Sequence, residues 1–149
     1  MNSFYTLHNN LITTLDGCEL VNKVTYGDTS DIDNDRNSKY PLVHIVYGAT
    51  TSNYNENGLS TEGMAITFYV LDIVHELADH TTNLIDVWNN TNEICKFIVK
   101  EFSAGGLYDL HFKLNGQPTR DMFKDTQTNG LAGYQLDMNI TLPFNYNLC

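Results

Sequence analysis

The stretch from Gly63 to Val74, GMAITFYVLDIV, constrains the fold of this chain more than any other. After the glycine only Thr67 and Asp72 are clearly polar, and Ile66, Thr67, Phe68, Tyr69, Val70 and Ile73 are β-branched or aromatic, types that suit a pleated surface. As a strand the run spans about 36 Å at roughly 3.3 Å per residue, well beyond the usual five or six residues. Polar and apolar positions do not alternate, so both faces need cover. Helices of the same chain can supply one; the other calls for something further, such as a second copy of the protein.

With 149 residues the chain is long enough for one domain, 1–149, with a substantial core, and 42 % hydrophobic content suits a folded protein. No apolar run reaches the ~18 residues that cross a bilayer, and MNSFYTLHNN lacks the basic start and apolar core of a secretion signal. The expectation is a protein that stays in the cytoplasm where it is made, with no membrane partner. Eight Lys and Arg against eighteen Asp and Glu give a formal charge of −10, which repels phosphate backbones. Sequence-specific nucleic-acid binding is therefore not expected, whereas a surface past which DNA slides is compatible with this charge. Cys18, Cys95 and Cys149 are scattered, without a CxxC pair, and read as free thiols.

Residues 3–15 place Phe4, Leu7, Leu11, Ile12 and Leu15 on one helical face, and Ser3 is a candidate cap. Glu19 to Tyr26 reads as a first strand, and the acidic, aperiodic GDTSDIDNDRNSK (27–39) as a loop. Pro41 opens a second strand in which Leu42, His44 and Val46 face one way and Val43, Ile45 and Tyr47 the other. A polar loop over 49–62 leads to the long strand. It is longer than an ordinary hairpin connection, which predicts a role beyond linking two strands. Val87, Ile94, Phe97, Ile98 and Phe102 predict a helix capped by Asn90 or Thr91 and stopped by Ala104-Gly105-Gly106. LYDLHFKLNG (107–116) alternates and predicts a half-buried strand. Residues 117–129 read as a third polar loop and 130–144 as a final strand broken by Pro143. The order α-β-β-β-α-β-β predicts the α+β class: a mainly antiparallel sheet with two helices packed on one face.

The constellations that could carry chemistry are weak. His75 and His80 of HELADH are five apart, where a zinc-binding helix needs four, so the second histidine swings about 100° off the shared face. Asp31, Asp33 and Asp35 resemble the start of a calcium loop, but Arg36 and Leu42 stand where the turn glycine and bidentate glutamate belong. His44 and His111 occupy strand positions and read as sheet-surface residues. Gly105-Gly106 follows a helix instead of opening one, so it is no phosphate loop. No catalytic residue, cofactor or metal site is expected, and the chain does not read as an enzyme.

Three stretches carry a family resemblance. They are YPLVHIVYGA (40–49); TFYVLDIVHE (67–76) with Val87-Trp88-Asn89-Asn90-Thr91 and the helix begun by Asn92-Glu93-Ile94; and Arg120-Asp121-Met122-Phe123-Lys124-Asp125 with Leu131-Ala132-Gly133-Tyr134 and the ending LPFNYNLC (142–149). In this order they cover about two thirds of the chain. With them the chain resembles the small tail-terminator or neck (head-to-tail connector) ring proteins of tailed bacteriophages, of the kind found in phages of Bacteroidetes hosts, including crAss-like phages. It departs from them in Tyr134, where a tryptophan is expected, and in the insert at 27–39.

The resemblance implies a non-enzymatic structural subunit of the virion neck or tail, assembled in the cytoplasm of the bacterial host. It would be a ring homo-oligomer of roughly six or twelve copies. Its partners would be copies of itself, the adjacent portal, neck or tail proteins, and DNA passing without sequence-specific contact. On this reading Tyr69, Leu71 and Ile73 of the long strand, with Val43, Ile45 and Tyr47 of its partner, form the subunit interface. Asp31, Asp33, Asp35, Tyr54, Asn57, Arg120, Asp121 and Phe123 lie in loops that touch the rings above and below. The alternatives are a small metal- or ligand-binding cytoplasmic domain built on His75, His80 and the acidic loop 27–39, and a host-takeover protein that binds a bacterial partner.

Overall fold

The computed structural model describes residues 3–28, 39–54, 60–79, 81–124 and 130–142. Leucines recur every fourth residue at Leu7, Leu11 and Leu15, and helix α1 (Ser3–Asp16) forms on that spacing and buries all three. Helix α2 (Leu84–Ser103) buries Val87, Thr91, Ile94, Cys95, Ile98 and Phe102 along one stripe. Thr91 fits that apolar stripe because its hydroxyl donates to the carbonyl of Val87 one turn back, at 2.7 Å.

The strands are β1 (Lys23–Tyr26), β2 (Leu42–Tyr54), β3 (Ser60–Ile73), β4 (Lys113–Leu114), β5 (Thr119–Lys124) and β6 (Leu131–Leu142). They form one sheet in the order β1-β2-β3-β6-β4. Only the β1–β2 pair is parallel. Because β3 runs along the whole of one side of β6, β4 and β5 share the other side. The long apolar run is thus the centre of the sheet, hydrogen-bonded to β2 on one side and β6 on the other.

Met64, Ile66, Phe68 and Val70 point to the helix side, where they meet Val43 and Ile45 of β2, Leu136, Met138 and Ile140 of β6, and the buried stripes of α1 and α2. The alternate positions point outward. There Leu71, Leu42 and Leu131 form a second, smaller apolar cluster, flanked by Tyr40, Tyr69 and Phe123. The expected α+β domain with helices on one face is therefore present, and part of the second face is covered by the chain itself.

Four local expectations are corrected. Residues 107–116 are not a half-buried strand: a single-turn helix α3 (Gly106–Asp109) buries Leu107, and only Lys113 and Leu114 pair with β6. The turn between them passes through His111 at φ 72°, a left-handed conformation that no strand contains. Helix α2 starts at Leu84, so Asn90 and Thr91 lie inside it and are not its cap. The first strand is shortened to Lys23–Tyr26. The polar segment 49–62 is mostly strand, because β2 and β3 run on as a hairpin, paired from Thr50–Met64 to Tyr54–Ser60 beyond a bulge at Gly48 and Ala49.

Candidate functional site

The predicted interface residues divide by strand parity. Val43 and Ile45 are wholly enclosed in the chain's own core, and Leu71 is only 1 % exposed within the outer cluster. At those three positions the side chains are taken up by the chain's own packing. Tyr69 is half-buried beside that cluster, and Ile73, at the end of β3, is exposed. Tyr47 is half-buried on the helix side. Its ring meets Phe4 edge-on at 5.0 Å, and its hydroxyl lies 2.6 Å from His8 Nδ1. Burial, and secondarily the neighbouring Tyr26, push the Tyr47 hydroxyl well above the ordinary phenol range.

Of the predicted contact-loop residues, Asp31, Asp33, Asp35 and Asn57 lie outside the described residues, and Tyr54 is the last residue of β2. Arg120, Asp121 and Phe123 are not in a loop. They belong to β5, which pairs with β6 from Thr119–Asp137 to Lys124–Ala132. Arg120 turns to the helix side and donates from Nη1 to Asn92 Oδ1 of α2 at 2.9 Å. Phe123 packs against the outer cluster. The strand was missed because TRDMFK carries three charges in six residues, a composition that hides β5's alternation at a sheet edge.

Three features of the surface could engage a partner. The first is the β2–β3 hairpin. β1 ends opposite Ile45, so from Val46 to Tyr54 β2 is paired on one side only among the described residues. The second is β5, whose only strand partner there is β6. The third is the outer face of the sheet, where strand register aligns Thr25, His44, Tyr69, Gln135 and Asp121 in one row, with Thr67 and Asp137 in the next. Thr67 Oγ1 donates to Asp137 Oδ1 at 2.7 Å, and Gln135 Nε2 reaches Asp137 Oδ2 at 3.2 Å. His44, expected at the sheet surface, is wholly buried. Nδ1 lies 2.7 Å from Thr25 Oγ1, and Nε2 donates to the Asp28 carbonyl at 2.9 Å. The latter bond fixes the tautomer and leaves Nδ1 to accept from the hydroxyl.

Residues 75–79 close the end of β3. His75 N–H donates to Asn83 Oδ1 at 2.8 Å, Glu76 bridges Thr82, and the Asp79 carboxylate accepts from the Thr81 hydroxyl at 2.6 Å. That hydrogen bond holds the Asp79 carboxyl below the usual carboxylate range. His75 is exposed, and His80 lies outside the described residues. Among the described residues, no group of three or more His, Cys, Asp and Glu side chains is placed to hold a metal ion. No helix among them is long and apolar enough to cross a membrane. No protein-family model matches the chain, and no curated protein matches it.

Proposed function

We propose that this protein is a structural ring subunit of a tailed-phage virion, placed in the portal–neck–tail axis around the path of the DNA. The observation that carries the reading is the one-sided β2 arm. From Val46 to Tyr54 this edge has no second strand partner among the described residues, and a strand edge open in this way offers its N–H and C=O groups to a neighbour. β5, paired on one side only among the described residues, lies at the far side of the sheet, so the two edges can be satisfied by successive copies related by a rotation that closes. The net charge of −10 is consistent with a wall from which DNA slides freely. The ordered resemblance to tail-terminator and neck proteins supplies the particle. The role is architectural, without a reaction.

The test is assembly. Purified protein examined by light scattering and negative-stain microscopy should form closed rings, or join isolated necks or tails when mixed with them. A strictly monomeric protein that joins neither would refute the proposal.

A further inference from the structure

Two surface features lie on the same, helix-bearing face but at opposite ends of the sheet. At the β1–β2 end, Phe4, Tyr5, His8 and Asn9 of α1 face Tyr26 and Tyr47 around an open cleft of about 450 Å³. His8 meets the Tyr26 ring edge-on at 4.7 Å, which fixes that wall, while Tyr5 and Tyr26 remain 67 % and 59 % exposed. No lysine or arginine lines this cleft. At the β5 end, Lys96, Val99 and Lys100 of α2 and Pro118 and Arg120 line a groove of about 280 Å³. Three of the chain's eight basic side chains thus converge there, on a protein that is otherwise strongly acidic. Lys96 is ion-paired with Glu93 at 2.9 Å. Arg120 is held by the neutral Asn92 amide, which orients the guanidinium without cancelling its charge. Lys100 has no ion pair among the described residues.

Taking the ring reading as its basis, we propose that the Lys96–Lys100–Arg120 groove of one copy docks onto the Phe4–Tyr5–Tyr26–Tyr47 cleft of the next. Tyrosine and phenylalanine faces are electron-rich and attract guanidinium and ammonium groups, Arg more often than Lys. Pro118 and Val99 give the groove an apolar floor for the rings. Lys113, whose Nζ stands 5.0 Å from the centre of the Tyr108 ring, makes the same kind of contact within the chain. A second copy is the fitting occupant because a cationic groove and an aromatic cleft are complementary and sit at opposite ends of the sheet. Each copy can therefore turn its groove toward one neighbour and its cleft toward the other. Such a head-to-tail contact repeats until the ring closes.

The test is proximity across copies. A chain with Tyr5→Cys and Lys100→Cys, in a background of Cys18→Ser and Cys149→Ser, is treated with a short bis-maleimide after assembly. The expected result is a ladder of covalent multimers on a denaturing gel, with either single-cysteine chain giving no multimers and an equal mixture of the two giving dimers alone. Separately, Lys100→Glu with Arg120→Glu, and Tyr26→Ala on the other side, should each raise the concentration for half-assembly at least about tenfold. Oligomers that form without the ladder, or charge reversal that leaves half-assembly unchanged, overturn this interface and leave the ring reading standing. The unsubstituted chain staying monomeric by light scattering and joining no neck or tail overturns both.

Discussion

Gly133 of β6 lies directly against the backbone of Val70 in β3, at φ 157°, with its α-carbon facing the Val70 carbonyl. A β-carbon added there would overlap both the oxygen and the carbon of that carbonyl, and these atoms belong to the central strand rather than to a side chain that can swing away. Gly133→Ala should therefore destabilise the domain by about 2 kcal/mol or more, because the β3–β6 ladder must part locally. Urea unfolding followed by circular dichroism measures this. A midpoint equal to the parent's would contradict the register of these two strands.

Phe68 is the largest wholly buried side chain of β3 and belongs to the main core cluster with residues of α1 and α2. Phe68→Asp would place a charge there with no cation among the residues of that cluster, a cost of more than about 4 kcal/mol that few small domains survive. The expected result is insoluble or unfolded protein and no assembled particles. Phe102→Ala on α2 is the milder companion, leaving a cavity that costs about 3–5 kcal/mol.

The sheet's centre was legible because Met64, Ile66, Phe68 and Val70 could not all be exposed in any arrangement, whatever the neighbours. The helical stripes were legible because Leu7, Leu11, Ile12 and Leu15, and likewise Ile94, Phe97, Ile98 and Phe102, mix three- and four-residue spacings that only a helix gathers on one face. Residues 107–116 misled because their alternation is real but unused: the turn at His111 lets Leu107 and Phe112 enter the core from either side of a bend. The outward-facing residues were harder still. Leu71 and Ile73 share a face and differ in exposure from 1 % to 42 %, because Leu42 of β2 stands opposite the first, whereas the β2 ladder ends there and leaves the second with Leu131 of β6 alone. Pairing partners distant in sequence decide such differences, and strand patterns carry no record of them.

His44 is held at both ring nitrogens, so its replacement strands two partners at once. His44→Leu keeps the volume but leaves the Thr25 hydroxyl and the Asp28 carbonyl without their bonds, which should cost about 1–3 kcal/mol. His44→Asn should recover part of this, since a side-chain amide offers both a donor and an acceptor. Thermal melts of the two variants decide it. Leu at or above Asn would show that the bonds contribute nothing net.

Burial pushes the Cys95 thiol up to about 12, against a smaller opposing pull from Arg120. The thiol is therefore protonated and unreactive at any physiological pH, since only the thiolate attacks. A maleimide or disulfide reagent at pH 8 should leave Cys95 unlabelled in the folded protein and label it once urea is added. The unfolded chain ionises this group near its ordinary pKa of about 8.5, so native stability falls as pH rises beyond that value. Rapid labelling of Cys95 in the native state would contradict its place on the buried stripe of α2.

The hairpin arm separates folding from assembly most directly. Thr51 pairs with Gly63, and among the described side chains beyond them neither apolar cluster draws on the arm except through Leu142, which pairs with Glu62. Replacing residues 52–62 by Asn-Gly closes the strands with a two-residue turn whose twist suits a hairpin. Met64, Ile66, Phe68 and Val70 keep their places, so the melting temperature should fall by no more than a few degrees. Ring formation, or incorporation into necks or tails, should be weakened or lost, because the outer part of the one-sided β2 edge, Ser52–Tyr54, and the strand end that pairs with it are gone. A shortened chain that still assembles at the parent's concentration would move the contact elsewhere, to β5 or the outer face. One that fails to fold would show that the arm belongs to the domain's own stability.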